Sequence, residues 1–203
     1  MIRIAIAVFD GVDELDAIGP FEILRASASE PPGLEITLVA LGAPRTIVGA
    51  HGLRMEVGDA IPAACDWLIV PGGGWARGDE TVRAQVAQAK LARELRRLRE
   101  AGTCVASVCT GAMLLSSAGL LRGRPCTTHP VAREGLAERG GVVVDARVVD
   151  DGDVITAAGV TSGIDLALHL VARLCGEEAA ERAAWRADHP RTKSIWTRPT
   201  QPA

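Results

Sequence analysis

Residues 103–121 read TCVASVCTGAMLLSSAGLL. An apolar, β-prone run from Thr103 to Val108 reaches Cys109. Thr110-Gly111-Ala112 follows at once, and an apolar helical run extends from Met113 to Leu121. A strand that turns abruptly into a helix with a thiol at the corner has the layout of a nucleophile elbow. In that layout the turn lifts the side chain out of the sheet and the helix N-terminus points at the sulfur. Free N–H groups and the helix dipole then predict a thiolate. The same stretch also suits a buried core cysteine, a common fate of free thiols. Taken alone, it leaves both readings open.

Outward from the elbow, the chain alternates strands and helices. Ile2 to Phe9 and Trp67 to Val70 are near-continuous apolar runs, as central parallel strands require. Glu35 to Leu41 is a further strand. Thr46 to Val48 and Leu53 to Val57 flank Gly49-Ala50-His51-Gly52 as a small hairpin. Asp10 to Asp16 reads as a polar loop, with Pro20 in the first turn of a short helix ending near Ser29. Glu80 to Glu100 reads as one helix, with Val82, Val86, Ala89, Leu91, Leu95 and Leu98 on its apolar stripe and Gly102 ending it. Beyond the elbow, the spacing predicts a strand over Pro125–His129 and a helix over Val131–Arg139. A strand over Val142–Val149 and its hairpin partner over Val154–Ala158 follow. Gly159 to Gly163 opens a long helix, and Glu177 to Arg186 continues as another. This alternation predicts a doubly wound α/β layer fold. One domain is expected over residues 1–187, followed by a polar, loosely held tail over 188–203.

The bulk numbers narrow the function. The 203 residues are 48% apolar, enough for a sizeable core, and the formal charge is only −3. The basic residues between Arg93 and Arg99 are interleaved with Glu94 and Glu100, so they read as a solvated helix face rather than a nucleic-acid surface. No apolar run approaches a membrane span or a signal peptide, and the cytoplasm is the expected compartment. Cys65, Cys104, Cys109, Cys126 and Cys175 are odd in number and form no CxxC pair, so neither a disulfide framework nor a zinc site is expected. The four histidines are dispersed, and no metal site is expected.

Sites in open α/β sheets form beyond the carboxyl ends of the strands. Three loops lie there. The first carries Asp16, an acid in the apolar context Leu15-Asp16-Ala17-Ile18. Burial would raise its pKa and suit it to general acid–base work, or it could cap the neighbouring helix. The second is Pro71-Gly72-Gly73-Gly74, whose amides could form an oxyanion hole or simply a tight βα turn. The third is the elbow, where the Thr110 hydroxyl and N–H could meet a substrate or cap the helix. His129 closes the next strand, placed either to polarise Cys109 or to serve as a structural hydrogen-bonding residue.

Five motifs together resemble the ThiJ/PfpI superfamily: LDAIGPFEIL at 15–24, LIVPGGG at 68–74, SVCTGAMLLSSAGLL at 107–121, TTHP at 127–130 and TAAGVTSGIDLALHLV at 156–171. The resemblance spans roughly residues 1–175. It implies a flavodoxin-like three-layer α/β/α sandwich with a mostly parallel sheet, usually dimeric, with a reactive cysteine at Cys109 and a partner acid at Asp16. Thr110 stands where the protease-like branch carries His, and Asp16 where the chaperone and deglycase-like branch carries Glu. The set Asp16, Cys109 and Thr110 is most similar to the isonitrile hydratase branch. That likeness implies a homodimeric, cofactor-independent enzyme acting on a small molecule. The Cys109 thiolate would attack the isonitrile carbon, and Asp16 would supply the proton and then help activate water. Thr110, with the Gly73 and Gly74 amides and His129, would position the substrate. A ligand- or redox-sensing domain and glyoxalase-like chemistry on reactive carbonyls are the rival expectations.

Overall fold

The computed structural model describes residues 1–75 and 81–199. In chain order the strands and helices are β1 (Ile2–Val8), α1 (Glu14–Ala26), β2 (Leu34–Ala40), β3 (Arg45–Val48), β4 (Arg54–Val57), β5 (Asp59–Ala60), β6 (Trp67–Val70), α2 (Thr81–Gln88), α3 (Lys90–Glu100) and β7 (Cys104–Val108). There follow α4 (Gly111–Ser117), β8 (Pro125–Cys126), α5 (Arg133–Glu138), β9 (Val142–Val143), β10 (Val148–Asp150), β11 (Val154–Ala157), α6 (Ser162–Cys175), α7 (Glu177–Arg186) and β12 (Ile195–Thr197).

Eight strands form the main sheet in the order β12-β10-β11-β7-β6-β1-β2-β5. All its pairings are parallel except the β10–β11 hairpin. The centre of the sheet holds the apolar runs: Ile4, Ile6, Leu68, Ile69 and Val105 are all essentially inaccessible to solvent. Strands buried on both faces need side chains that are apolar at every position, which is why these runs do not alternate. One helix group, α1, α6 and α7, and a second, α2, α3 and α4, cover the sheet. The result is the flavodoxin-like α/β/α sandwich.

Several local expectations are corrected. Helix α1 begins at Glu14, so Asp16 lies in its first turn rather than in a loop, and Pro20 sits inside the helix rather than at its start. The long helix expected before the elbow is two helices. Ala89 adopts a left-handed backbone (φ +53°) and separates α2 from α3; Glu80, expected at its start, lies outside the described residues. The strand expected at 142–149 is two short strands joined to different sheets. The tail is not loose where it is described. Ile195–Thr197 pairs in parallel with Val148–Asp150 as the edge of the main sheet, and the Arg198 N–H bonds the Asp150 carbonyl. No helix among the described residues is long and apolar enough to cross a membrane.

Candidate active site

The elbow forms where β7 passes into α4. Cys109 has φ +58°, a left-handed conformation that costs a non-glycine residue roughly 1–2 kcal/mol. The surroundings hold it there. Its N–H donates toward the carbonyls of Ala157 and Ala158 at 3.1 and 2.8 Å. Its carbonyl accepts from the Thr128 hydroxyl at 2.8 Å. Gly111 completes the corner: a Cβ there would lie 2.1 Å from the Val70 carbonyl oxygen, so only glycine allows α4 to start this close to the end of β6.

Asp16 reaches the elbow from α1. It is fully buried, and its Oδ2 accepts from the Gly72 N–H at 3.0 Å. Oδ1 is buried with no partner of ordinary hydrogen-bond geometry. The Cys109 thiol is close enough to this carboxyl for each group to shift the other's pKa. Pro20 stands four residues on and has no N–H, so the Asp16 carbonyl also lacks its usual helical donor. Asp13, not Asp16, caps α1, its side chain accepting from the Leu15 N–H.

Burial and the nearby Asp13 charge raise the Asp16 pKa to about 8, against the smaller opposing effects of the Gly72 N–H and the thiol. Cys109, only 5% exposed, is pushed well above the ordinary thiol range. Burial is the main cause and the Asp16 charge the next, with only the Thr110 N–H favouring the anion. The expected resting thiolate is therefore overturned. At neutral pH the site holds a thiol beside a carboxylic acid, because desolvation outweighs what one amide and a short helix supply.

Thr110 caps nothing with its side chain. Its hydroxyl accepts from the Gly73 N–H at 3.0 Å and donates to the Gly73 carbonyl at 2.7 Å. These two hydrogen bonds pin the glycine loop against the elbow. Of the three loop amides, Gly72 is committed to Asp16 and Gly73 to Thr110, which corrects the expectation that Gly73 offers a free oxyanion donor. The Gly74 carbonyl accepts from Val82 and ties the loop to α2. Gly72 is the residue the sequence undervalued. A Cβ there would sit 2.5 Å from the Thr110 hydroxyl and 2.9 Å from Asp16 Oδ2, so the acid, the threonine and the loop can meet only at a glycine.

His129 is half-buried and caps a short 3-10 turn over Pro130–Ala132, its Nδ1 accepting from the Val131 N–H at 3.2 Å. It lies against Gly159, and its hydrogen bond runs to that turn rather than to the thiol. Asp13, Glu14 and His51 bring possible metal-ligating atoms within 4.8 Å of one another. Glu14, however, already accepts from the N–H groups of His51 and Leu53 and pairs with the His51 ring. That arrangement latches the β3–β4 turn onto the start of α1.

The chain matches the DJ-1/PfpI family over residues 2–173. It is 32% identical over 189 residues to an isonitrile hydratase from Pseudomonas putida, covering 89% of this chain and 75% of that one. It is also 32% identical over 160 residues to a deglycase from Pyrococcus abyssi, covering 77% and 89% of the two chains. Among solved structures it is similar to a ThiJ/PfpI family protein from Pseudomonas syringae, with a TM-score of 0.79 and 30% identity, covering 95% of this chain and 77% of that one. Drosophila melanogaster DJ-1beta shares the fold at a TM-score of 0.79 and 19% identity, covering 93% and 98%. With the strained cysteine at the elbow and the buried acid facing it, these matches establish that the chain belongs to the DJ-1/PfpI family.

Proposed function

We propose that this protein is a cysteine-dependent enzyme that hydrates a small electrophile, most specifically an isonitrile to its N-substituted formamide. The observation that carries this reading is the fully buried Asp16 carboxyl, held by the Gly72 N–H with its other oxygen unpartnered, beside the strained Cys109. The terminal carbon of an isonitrile bears a lone pair and becomes strongly electrophilic once protonated. Asp16 delivers its proton to that carbon. Cys109 sulfur then bonds to it, and the thiol proton passes to the Asp16 carboxylate. The product is a thioimidate, R–N=CH–S–Cys109, with Asp16 again protonated. Water adds to the thioimidate carbon, nitrogen takes a proton, and the C–S bond breaks. The formamide R–NH–CHO leaves and the thiol is restored. A buried acid with a pKa near working pH suits such proton transfer. Thr110 acts as a positioning residue through its grip on Gly73.

The test is an assay of the purified protein with a simple alkyl isonitrile across pH. Turnover is expected to fall as pH rises through about 8, where Asp16 loses its proton. Cys109→Ala is expected to abolish it. Undiminished turnover in Cys109→Ala excludes the nucleophile, and no turnover of any isonitrile excludes the activity. The similarity to a deglycase favours a second reading, chemistry on reactive carbonyls. Lactate formed from methylglyoxal, without isonitrile turnover, would select it. From the apolar patterning of the sequence we also propose a cytoplasmic location, and from the family resemblance a homodimer, which sedimentation tests.

A further inference from the structure

The backbone of Cys109 is anchored on both sides, and both anchors lead to β11. Its N–H meets the carbonyls of Ala157, the last residue of that strand, and Ala158. Its carbonyl meets the Thr128 hydroxyl at 2.8 Å. Thr128 is itself placed from β11, because the adjoining Thr127 N–H donates to Thr156 Oγ1 at 2.8 Å. On its other side His129 is fixed by the turn that it caps. Thr128 is wholly shielded from solvent, so water does not compete for its hydroxyl.

The bond from Thr128 is the short one at that carbonyl. In the first turn of α4 the Ala112 N–H also approaches the Cys109 oxygen, but at 3.5 Å, the limit of a hydrogen bond. The next such pair, Met113 to the Thr110 carbonyl, closes at 2.9 Å. The helix alone would therefore hold the Cys109 carbonyl loosely. That carbonyl and the Thr110 N–H belong to one peptide group, which is trans and planar. Its C=O and N–H point in opposite directions, so fixing the carbonyl on Thr128 also fixes where the N–H points. The Thr110 N–H is the group that favours the Cys109 anion, against burial and the nearby carboxylates. A hydrogen bond accepted at the carbonyl polarises the peptide and makes its N–H a better donor. With no cation beside it, the sulfur depends on this one dipole.

We propose that Thr128 is a positioning residue for the nucleophile: through the peptide group between Cys109 and Thr110 it aims the Thr110 N–H at the sulfur and holds the corner in its left-handed form. The inference rests on the reading of Cys109 as nucleophile, but not on the identity of the electrophile it attacks.

The test uses iodoacetamide as the electrophile and so does not need isonitrile turnover. The rate of Cys109 alkylation at pH 9 is followed by peptide mass, which separates this thiol from the other four cysteines. Thr128→Val and Thr128→Ala lack the hydroxyl, and each is expected to slow the reaction at least fivefold. Thr128→Ser keeps the donor and is expected to recover at least half of the lost rate. A merely loosened fold would do the reverse, since exposing the thiol speeds alkylation. A smaller loss or a gain in the variants without the hydroxyl overturns the proposal, and so does a serine variant that recovers nothing. The Tm of each variant is measured alongside. Should both variants without the hydroxyl fail to fold while Thr128→Ser folds, the bond serves stability and the proposal falls. In the isonitrile assay the folded variants are expected to lose kcat at least fivefold with KM within twofold of the wild type, and a loss confined to KM counts against the proposal. Slower alkylation in a protein that turns over no isonitrile would leave the role of Thr128 standing and remove only the hydration reading.

Discussion

Two groups of buried aspartates lie at opposite ends of the sheet. At the carboxyl ends of the parallel strands, Asp16 is fully buried and its pKa is raised to about 8. At the amino ends, in the β10–β11 turn, Asp151 has a fully buried side chain and Asp150 is nearly so, yet both have lowered pKa values. Burial pushes all three upward. The difference is in the company each keeps. Asp151 accepts from Arg124 and from Arg198, the latter at 2.6 Å. Asp150 accepts from His169 at 2.8 Å, Arg173 at 2.9 Å and the Gly152 N–H at 2.8 Å. Asp16 has one amide, a thiol and the negative Asp13 nearby. Burial alone therefore does not mark a functional acid. A buried acid denied a cation keeps its proton, and one supplied with cations becomes a structural clamp.

The largest effect expected from breaking this contrast is on turnover. Asp16→Asn keeps the shape and the acceptor for Gly72 but cannot deliver a proton. Loss of a positioned general acid lowers kcat by roughly 10²–10⁴-fold. Steady-state assay of the isonitrile reaction reads it directly. Near-wild-type kcat in Asp16→Asn would make the raised pKa an incidental product of burial.

At the other end, Asp151→Ala removes the shared partner of Arg124 and Arg198. Arg198 is exposed and Arg124 keeps its pair with Asp153, so the loss of these charged hydrogen bonds costs about 1–3 kcal/mol rather than the full penalty of a stranded buried charge. Urea denaturation at pH 7 is expected to show this loss, with catalysis unaffected in the fraction that remains folded. The pH sense is fixed by the lowered pKa values of Asp150, Asp151 and Asp153. Their stabilisation is fully present above the ordinary carboxylate value of 3.8 and is lost as pH falls below it toward the folded-state values.

The two ends were not equally legible in the sequence. The elbow announces itself because a β-prone run, a thiol, a glycine and a helical run are contiguous over 104–117. Asp16 stands out as one acid among apolar neighbours. The central strands are legible because parallel strands buried on both faces are apolar at every position. What could not be read is what depends on distant partners. The thiol stays protonated because α1 packs over the elbow, and nothing local to Cys109 encodes that. Gly72, rather than Gly73, supplies the amide to Asp16 because Thr110 takes Gly73 first. The tail looks solvated by composition, yet Arg198 reaches Asp151 across 47 positions and holds β12 to the sheet edge. The break at Ala89 has no signal at all, since alanine is a strong helix former.

The remaining expected effect has a sign opposite to that of the clamp. Asp16 has a folded-state pKa of about 8 against 3.8 when its carboxyl is free in solution. Below 3.8 both the folded and unfolded chains hold the proton, and the residue costs nothing. Between 3.8 and 8 the unfolded chain ionises while the folded one does not, so stability is lost as pH rises, at up to about 1.4 kcal/mol per pH unit. Above 8 the cost levels off. Asn has no such proton to hold, so Asp16→Asn is expected to fall below the wild type in stability by about 1–2 kcal/mol near pH 4 and to exceed it by about 2 kcal/mol at pH 7. The gain is smaller than the full linkage because the buried amide has only a thiol to which its second polar group can turn. Denaturant midpoints measured from pH 4 to 9 would trace it. Parallel curves for the two proteins would mean that Asp16 is ionised in the folded state and that the sheet's two ends treat their aspartates alike. Diverging curves, with turnover lost in the more stable variant, would show that the protein holds Asp16 uncompensated at a cost in stability and uses it for chemistry.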